Sequence, residues 1–520
     1  MSAPMTSCLS RTRPFVCGFL CLFLIWFKAY AVDPISWQLP PQDISVADQP
    51  LMRDNFDMNN LGQAAVIYRD NVSPNDIKIA IKDKGGAWMQ TLPAGNTTST
   101  SMSLNIGINN QGNLLAVWSK SNDLYYATAN FDDLMLGGSW TITPVTITGS
   151  INVIQSFDFN NAGEAIIFRS PPGTPHVFNG TSWDNTDNAI TFGTAHRPTA
   201  AINNSGQIIA IWADGDTGPL RYRTRTVGGS WSAEETLTSA NISTSSQTLS
   251  LNNSGQAVAS WVDDTSGNMR IATFTFGDAS WTVLSEASTV NKYSVRALIN
   301  DNGRIASSWY DGSDLQARTG PFATPLANGT QLSTKFGYVG ALRDDGIAVF
   351  VLTTSAPGTG YGVTYGRISA VTFDASDLSF SAETLLSVVD VEVFFSKTFF
   401  FKAATNNRGD WLVLWMRNSD QMLKTSYSSP TILSVSGKQI TARYATCKEH
   451  INCLYLSVST NENLSFFRIY RDDHLIGTFG VSEVLEFDDR ERKKELPHRY
   501  TIEAINQGGS VCATTTFVFP

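Results

Sequence analysis

The residue types that most often carry catalytic or metal chemistry are few in this chain and lie far apart. None of the histidines has metal-ligand spacing or stands beside a reactive cysteine or serine motif. No glycine-rich phosphate-binding loop leads from a strand into a helix. These absences favour a protein that is not an enzyme and has no metal site. The five histidines are His176, His196, His450, His474 and His498.

Two aspartate-rich turns could bind calcium, which prefers carboxylate and other oxygen ligands. They are Asp214-Gly215-Asp216 and the segment from Asp263 to Asn268. The same residue types are common in ordinary hairpin turns, because they tolerate the backbone conformations that tight turns need. We therefore expect no cofactor, with calcium as the alternative.

Cysteine chemistry is confined to the C-terminal end of the mature chain. Three of the six cysteines, Cys447, Cys453 and Cys512, lie there, and the others precede position 22. In an oxidising compartment we expect one disulfide bond, between Cys453 and either Cys447 or Cys512, which leaves one thiol. The long region before Cys447 must then be stabilised by packing.

The N-terminal segment, 1–31, has the pattern of a secretory signal peptide. Arg11 and Arg13 precede a continuous apolar run, Phe15 to Phe27, and Ala29-Tyr30-Ala31 matches a small-residue cleavage site. An uncleaved membrane anchor is the alternative, although the run is short for a span. We expect residues 1–31 to be removed and the mature protein to be secreted, periplasmic or displayed on the cell surface, with no membrane span.

The charge of the chain excludes one class of partner. The net charge is −9, and removal of Arg11, Arg13 and Lys28 with the leader brings it to −12. An acidic surface repels a phosphate backbone, so we do not expect a nucleic-acid partner.

One hairpin pattern recurs eight times in the chain. It is clearest in FDMNNLGQAAVIY, which begins at Phe56, and in LSLNNSGQAVASW, which ends at Trp261. Each copy predicts two strands around an Asn-Asn-x-Gly turn or a variant of it, because asparagine and glycine suit tight hairpins. The intervals between the turn glycines are similar, and the last interval is the longest. These glycines are Gly62, Gly112, Gly163, Gly206, Gly255, Gly303, Gly346 and Gly409.

Tryptophan marks two positions of this repeat. The first position lies on the second strand, six residues after the turn glycine. This strand is apolar on both faces, which indicates cover on both sides. The second position closes a Gly-Gly-x-Trp or similar motif and begins a further strand. The first position is held by Trp118, Trp212, Trp261, Trp309 and Trp415, and the second by Trp88, Trp140, Trp183, Trp231 and Trp281.

These motifs predict a four-stranded antiparallel meander in each copy, the size of one β-propeller blade. We expect an all-β protein in which residues 32–429 form an eight-bladed propeller. Residues 35–43 resemble the tryptophan strand, with Trp37 in its place, and we expect them to close the ring by pairing with the strand near 422–427. Copies six and seven lack the tryptophan of the second position, at the start of the fourth strand. Phe322 and Phe380 are the candidate substitutes for it. Seven blades plus an irregular segment is therefore the alternative.

The repeat ends near residue 430, and six or seven short alternating strands in residues 430–520 predict an antiparallel β-sandwich. The segment LPHRYTIEAIN, which begins at Leu496, resembles the fibronectin type III stretch in which Leu-Pro precedes a buried tyrosine. Residues 467–473 resemble the middle strand and turn of that family, whereas the tryptophan usual in one of its early strands is missing. We interpret the charged stretch 488–495 as a solvated loop, with a docking patch as the alternative.

The hairpin and tryptophan motifs of residues 35–428 resemble the repeats of bacterial secreted β-propellers, which are distantly similar to sialidase propellers. A sialidase clamps a carboxylate with three arginines and uses a tyrosine–glutamate pair. The innermost strands offer Arg53, Arg197, Arg296 and Arg343, with Tyr293 or Tyr338 nearby. The sialidase Asp-box, Ser-x-Asp-x-Gly-x-Thr-Trp, is absent from every copy, and arginines of the solvated rim are the alternative interpretation.

Two functions follow from these expectations. The favoured one is an exported binding or adhesion module that holds a protein or glycan at the propeller face or channel mouth. The alternative is a carbohydrate-active, sialidase-like glycosidase with degenerate motifs. Arginine, glutamate and tyrosine clustered in the channel would favour the enzyme, whereas asparagine, serine and apolar residues would favour binding.

Overall fold

Almost all regular structure in this chain is β-strand, with one short helix, α1 (Phe131–Met135), among the described residues. This confirms the predicted all-β class. The computed structural model describes residues 42–46, 55–69, 77–83, 87–91, 103–120, 123–145, 153–170, 173–184, 195–215, 217–242, 247–289, 295–311, 314–324, 327–333, 336–353, 363–366, 368–374, 379–387, 391–394, 401–407, 409–417, 422–428, 432–443, 448–459, 464–472, 474–480, 486–492, 498–506 and 511–519.

After the first strand, β1 (Gln42–Val46), antiparallel sheets follow one another in chain order, each built from strands that are neighbours in sequence. Sheet 1 contains β2 (Phe56–Met58), β3 (Ala64–Arg69), β4 (Ile77–Lys82) and β5 (Met89–Thr91). Sheet 2 contains β6 (Leu104–Ile108), β7 (Asn113–Lys120), β8 (Asp123–Asn130) and β9 (Thr141–Val145). Sheet 3 contains β10 (Val153–Phe159), β11 (Ala165–Ser170) and β12 (Thr174–Phe178). Sheet 4 contains β13 (Ala195–Ile202), β14 (Gln207–Asp214), β15 (Leu220–Thr226) and β16 (Glu235–Thr238).

The same order continues through the second half of the repeats. Sheet 5 contains β17 (Thr248–Leu251), β18 (Gln256–Val262), β19 (Asn268–Thr275) and β20 (Thr282–Thr289). Sheet 6 contains β21 (Arg296–Ile299), β22 (Arg304–Tyr310), β23 (Asp314–Pro321) and β24 (Ala327–Ser333). Sheet 7 contains β25 (Phe336–Leu342), β26 (Ile347–Thr353), β28 (Ile368–Asp374), β29 (Ser379–Phe380) and β30 (Thr384–Leu385), and a separate pair joins β27 (Val363–Gly366) to β31 (Val391–Phe394). Sheet 8 contains β32 (Phe401–Thr405), β33 (Trp411–Arg417), β34 (Met422–Ser428) and β1.

The pair of β27 and β31 explains the longest repeat. These strands hydrogen-bond to each other and not to the strands of sheet 7. They are therefore an insertion in the seventh copy, where the interval between turn glycines, from Gly346 to Gly409, is the longest of the series. These two strands, which flank β28 to β30 in the chain, lengthen the copy without changing the order of the strands in sheet 7.

The first strand of each sheet, here called its inner strand, packs against the inner strands of both neighbouring sheets. This holds around the whole series, from β2 against β6 to β25 against β32, and β32 lies against β2 again. The inner strands thus form a closed circle. A circle of radially repeated four-stranded antiparallel meanders is the arrangement of a β-propeller.

Apolar side chains fill the spaces between successive sheets. Strand β14 shows this best, because Ile209 and Ile211 pack against sheet 5 while Ile208, Ala210 and Trp212 pack against sheet 3. All five side chains are at most 1% exposed. The second strand of a repeat is therefore covered on both faces, as its composition predicts.

The asparagine turns at the ends of the inner strands join each sheet to the next. In sheet 4 the Nδ2 of Asn203 donates to the carbonyl oxygen of Asn252 at 3.1 Å, and the backbone N–H of Asn204 donates to Oδ1 of Asn253 at 3.0 Å. The corresponding bonds leave Asn59, Asn60, Asn109, Asn110, Asn160, Asn161, Asn252, Asn253, Asn300, Asp301, Asn406 and Asn407. The bonds from Asn406 and Asn407 reach Asn59 and Asn60, and so return to sheet 1.

The N-terminal strand completes sheet 8. β1 pairs antiparallel with β34, with Gln42 opposite Thr425 and Val46 opposite Met422. The described strand covers 42–46, a few residues beyond the predicted segment 35–43, and it pairs with the strand near 422–427. Trp37 lies outside the described residues, and the domain boundaries 32–429 and 430–520 stay predictions.

The aromatic residues of the fourth strands pack at the outer part of the sheets. Trp281 stacks on Phe274, with ring centroids 5.1 Å apart. Phe380 lies 4.8 Å from Phe373 in the same relation, so phenylalanine replaces tryptophan in sheet 7.

The assignment of Phe322 to this position in sheet 6 is wrong. Its N–H donates to the carbonyl of Gly303 at 2.8 Å, as the N–H of Phe276 does to Gly255 at 2.7 Å. Phe276 lies five residues before Trp281, so Phe322 ends a third strand instead of beginning a fourth.

The C-terminal residues form two further antiparallel sheets. One has the order β35 (Ile432–Arg443), β36 (Lys448–Ser459), β39 (Glu486–Arg492). The other has the order β38 (His474–Gly480), β37 (Leu464–Arg471), β40 (His498–Asn506), β41 (Val511–Phe519). Residues 486–492 are therefore a strand, which corrects the interpretation of 488–492 as a loop, and residues 493–495 lie outside the described residues.

A buried polar network joins these two sheets. The hydroxyl of Tyr500 donates to Asp489 and accepts a hydrogen bond from Asn452 at 2.9 Å, and Arg471 donates to Asp489 at 2.8 Å. Tyr500 and Asn452 are fully buried. The charged stretch thus contributes a buried carboxylate whose hydrogen bonds are satisfied.

Cys453 lies in β36 with 2% of its surface exposed. Cys447 and the side chain of Cys512 lie outside the described residues, and the described side chains form no disulfide bond. The pairing of Cys453 stays a prediction. No helix within the described ranges is long and apolar enough to cross a membrane.

We expect Asn252→Ala to lower the free energy of unfolding by about 3 kcal/mol, because buried donors and acceptors lose their partners. The side chain of Asn252 is 3% exposed and bonds to Asn300, Gln256 and Ser254. Urea unfolding of residues 32–520 measures the effect. The control is Asn179→Ala, because Asn179 is exposed and bonds only within its own turn. Equal stability of the two variants would contradict a joining role for the asparagine turns.

A second prediction concerns Lys82 at the seam between sheet 1 and β1. Its Nζ donates to Oε1 of Gln42 at 3.2 Å, and burial lowers its pKa from 10.5 to about 8. Between pH 8 and 10.5 the unfolded chain binds this proton more tightly, so stability should rise with pH relative to Lys82→Met, by up to about 3 kcal/mol. Below pH 8 the burial penalty is fully present. Urea unfolding at several pH values measures the difference, and parallel pH profiles would refute it.

Candidate functional site

The inner strands enclose a cavity of about 580 Å³ at the centre of the circle of sheets. Most of its wall comes from sheets 1 and 3 to 6, whereas sheet 2 contributes only Ile108 and Asn110, sheet 7 only Tyr338, and sheet 8 only Lys402 and Ala403. The wall combines amide and hydroxyl side chains with apolar ones, and asparagines of the turns line one end. A volume of this size suits a small molecule or the end of a larger one.

One position of the inner strand supplies the central polar part of the wall. It lies four residues before the first residue of the turn. We call the five residues at this position that line the cavity the polar belt. They are Ser156, Thr199, Thr248, Arg296 and Lys402, from sheets 3, 4, 5, 6 and 8.

Two aspartates line the cavity nearer to the turns. Oδ2 of Asp57 accepts the backbone N–H of Ile108 in the next inner strand at 2.9 Å, and Oδ2 of Asp158 accepts that of Ile202 at 2.8 Å. The Oδ1 atoms of both aspartates accept the N–H of the following residue in their own strands. These carboxylates therefore satisfy strand edges that would otherwise present unpaired donors.

Hydroxyl groups of the inner strands also accept backbone N–H groups of the next inner strand. Oγ of Ser156 accepts the N–H of Ala200 at 3.1 Å, and Oγ1 of Thr248 accepts that of Ala297 at 3.3 Å. Part of the polar belt thus joins neighbouring inner strands while it faces the cavity.

Arg296 is held against an aromatic ring. Its guanidinium carbon lies 5.1 Å from the ring centroid of Tyr338 in the neighbouring sheet. Tyr338 is 1% exposed, and burial raises the pKa of its hydroxyl, so this group stays protonated. A cation at this distance from a ring is attracted to it, so the contact holds the guanidinium beside Tyr338 in the cavity wall.

The four arginines predicted from the sequence do not come together. Arg296 lines the cavity. Arg197 has a φ of 50°, and its backbone carbonyl accepts a hydrogen bond from Gln247 at 2.6 Å. The side chain of Arg197 is not among those that line the cavity. Arg343 replaces the first asparagine of the seventh turn, binds Asp345 and packs 5.2 Å from Trp411.

Arg53 and Tyr293 lie outside the described residues. Lys402 was not predicted, and the available signal was that it precedes its turn by the same four residues as Arg296.

A tyrosine–glutamate pair exists, but on outer strands. The hydroxyl of Tyr222 in β15 donates to Oε2 of Glu235 in β16 at 2.6 Å. Burial first, and then Glu235, raise the pKa of Tyr222, and its ring packs against Phe274 and Trp281. Neither member of the pair lines the cavity, and no glutamate is among the described residues of its wall.

The turn proposed for calcium is stabilised by its own backbone. Oδ1 of Asp263 accepts the N–H groups of Thr265 and Ser266 at 3.0 and 2.9 Å, which lowers the pKa of this carboxyl. Asp216 lies outside the described residues. Among the side chains that the structure describes, no three histidine, cysteine, aspartate or glutamate residues form a metal-binding group.

Comparison with known proteins gives similarity to solved structures alone. No protein-family model matches the chain, and no curated protein matches it. A structure described as that of the Dos1 propeller is 12% identical, covers 76% of this chain and 95% of its own, and has a TM-score of 0.49.

Two further solved structures show the same level of similarity. The β-propeller domain of the Trilobed protease from Pyrococcus furiosus is 10% identical and covers 65% of this chain and 98% of its own, with a TM-score of 0.39. A protein from Lactobacillus plantarum is 14% identical and covers 63% and 96%, with a TM-score of 0.40. Because these TM-scores are below 0.5, the fold is assigned from the sheets themselves.

Proposed function

We propose that this protein is an exported binding or adhesion scaffold that holds a protein or glycan ligand in the central cavity or at its mouth. The observation that carries the proposal is the cavity of about 580 Å³, whose wall is built from inner strands and lined by amide, hydroxyl and apolar groups. Concave sites of this size are typical of ligand binding. The leader-like residues 1–31 support export.

The proposed scaffold is a propeller of eight blades, formed by sheets 1 to 8. Each inner strand packs against two others in a closed series, and the turn bonds of Asn406 and Asn407 return to sheet 1. A seven-bladed ring would require one sheet outside this series. Sheet 3 is the shortest, and Phe178 and Trp183 form a bridge where the other sheets have a fourth strand.

We further propose that residues 430–520 form a fibronectin type III-like sandwich. The seven described strands divide into three and four, with the first, second and fifth strands in one sheet and the others in the second. The buried Tyr500 follows Leu496-Pro497, as in the sequence pattern of that family, and its hydroxyl joins the two sheets. Packing of two antiparallel sheets face to face is the basis of this fold.

Binding is favoured over glycoside hydrolysis by the carboxylates of the cavity. Glycosidases need an acid and a nucleophile or base that are free to exchange protons or attack. Asp57 and Asp158 each accept two backbone N–H groups, so both oxygens of each carboxylate already take part in bonds that hold the inner strands. The described wall therefore provides no evident acid.

The binding proposal predicts that filling the cavity abolishes recognition. Gln155 lines the cavity, and Gln155→Trp would place an indole in it. On a glycan array and a panel of purified surface proteins, we expect residues 32–520 to bind and Gln155→Trp to lose at least tenfold in affinity. Val283→Trp is the matched control, because Val283 is 50% exposed on β20. Equal loss in both variants, or none in either, would contradict binding at the cavity.

The same proposal predicts no sialidase activity. Residues 32–520 should not release fluorophore from a fluorogenic sialoside, because the described cavity wall lacks glutamate and the Tyr222–Glu235 pair lies on outer strands. Steady turnover that Arg296→Ala abolishes would show that the alternative, a glycosidase with degenerate motifs, is correct.

A further inference from the structure

We infer that the ligand carries an anionic group, a carboxylate or a phosphate, which Arg296 and Lys402 bind from two sides of sheet 7. This inference rests on the proposed binding function and specifies its ligand. Arg296 belongs to the inner strand of sheet 6 and Lys402 to that of sheet 8, and both line the cavity.

The two cations lie at the same level of the cavity. Each precedes the first residue of its turn by four residues, and inner strands of neighbouring sheets lie side by side around the circle. Between them, Tyr338 of sheet 7 is buried beneath Arg296. The other members of the polar belt are the hydroxyl residues Ser156, Thr199 and Thr248. The polar belt therefore has two positive charges and no carboxylate.

The acidic groups of the wall lie at a different level and are already bonded. Asp57 and Asp158 lie two residues before their turns, and both of their carboxylate oxygens accept backbone N–H groups. A ligand anion placed between Arg296 and Lys402 is thus separated along the strands from the two carboxylates. On the opposite wall of the cavity, the hydroxyl groups of the polar belt offer the ligand neutral hydrogen-bond partners.

The chemical structures of the Arg296 and Lys402 side chains suit the binding of an anion. Contact with Tyr338 orients the guanidinium of Arg296, whose planar fork matches two oxygens of a carboxylate or phosphate. Lys402 supplies a compact positive charge. Inside a concave site that excludes part of the solvent, such charges act more strongly than on an open surface. The chain as a whole is acidic, so attraction of an anion must come from these local charges.

Three sugars that share one ring test the inference. Glucuronate carries a carboxylate, glucose 6-phosphate carries a phosphate, and glucose is neutral. Isothermal titration of residues 32–520 should show binding of at least one of the two anions with an affinity at least tenfold above that for glucose. The anion that binds identifies the group. Increasing sodium chloride should weaken binding of the anion and not that of glucose.

Variants assign the effect to the two cations. Arg296→Gln and Lys402→Gln should each weaken anion binding at least tenfold and leave the melting temperature close to that of the parent. Arg318→Gln is the matched control, because Arg318 packs 5.2 Å from Trp309 in the same sheet as Arg296 but does not line the cavity. It should bind as the parent does.

Three results would overturn the inference. The first is equal affinity for the anions and glucose, or the absence of anion binding. The second is anion binding that Arg318→Gln weakens as much as Arg296→Gln. The third concerns the ligands on the array. If ligands on the array bind to the parent and to Arg296→Gln and Lys402→Gln alike, but not to Gln155→Trp, the anion inference fails while the binding function stands.

Discussion

The first asparagine of a turn donates its side-chain N–H to the next sheet, and the closed arrangement of the sheets depends on this bond. The Oδ1 atom of the same side chain accepts N–H groups of its own turn, as Asn203 does from Ser205 and Gln207. One buried amide therefore shapes a hairpin and fixes the position of its neighbour. In the seventh turn Arg343 takes this place, and its contact with Trp411 of sheet 8 replaces the missing amide.

A circle of inner strands presents a difficulty that these turns alone do not solve. Each inner strand has one edge that faces the centre, and unpaired donors there would be costly. Side chains of the preceding sheet accept some of these N–H groups, through Asp57, Ser103, Ser156, Asp158, Thr248, Ser250 and Ser308. The polar character of the cavity is thus partly a structural necessity. Arg296 and Lys402 line the same cavity and carry positive charge, and the anion inference concerns these two side chains.

The sequence was informative about the repeat and less so about the site. The glycine spacing located every turn, and the glycines at these turns have φ values between 70° and 90°. Tryptophan located five of the eight second strands and most of the fourth strands, because a large ring packs at those places. Phe322 was wrongly assigned to a fourth strand, because the residue that ends a third strand can also be aromatic, as Phe276 of sheet 5 shows.

The cavity residues were harder to predict because orientation toward the centre depends on the closed circle. Arg197, Arg296 and Arg343 have the same chemistry, yet Arg296 lines the cavity, Arg343 belongs to a turn, and the side chain of Arg197 lies outside the wall. Lys402 follows three phenylalanines, a context that indicates a core strand and not a site. The polar network of the C-terminal sheets was partly foreseen through Tyr500, whereas its partner Asp489 was assigned to a loop because the surrounding residues are charged.

The central claim is that the sheets form a closed ring in which β1 is an integral strand of sheet 8. Hydrogen–deuterium exchange of residues 32–520, followed by mass spectrometry, tests it directly. If the ring is closed, peptides covering residues 42–46 and 422–428 should exchange as slowly as those of β18 in sheet 5. The reason is that all three segments lose their hydrogen bonds only when the ring opens. Exchange of residues 42–46 at the rate of an unstructured peptide, with β18 still protected, would contradict the closed ring.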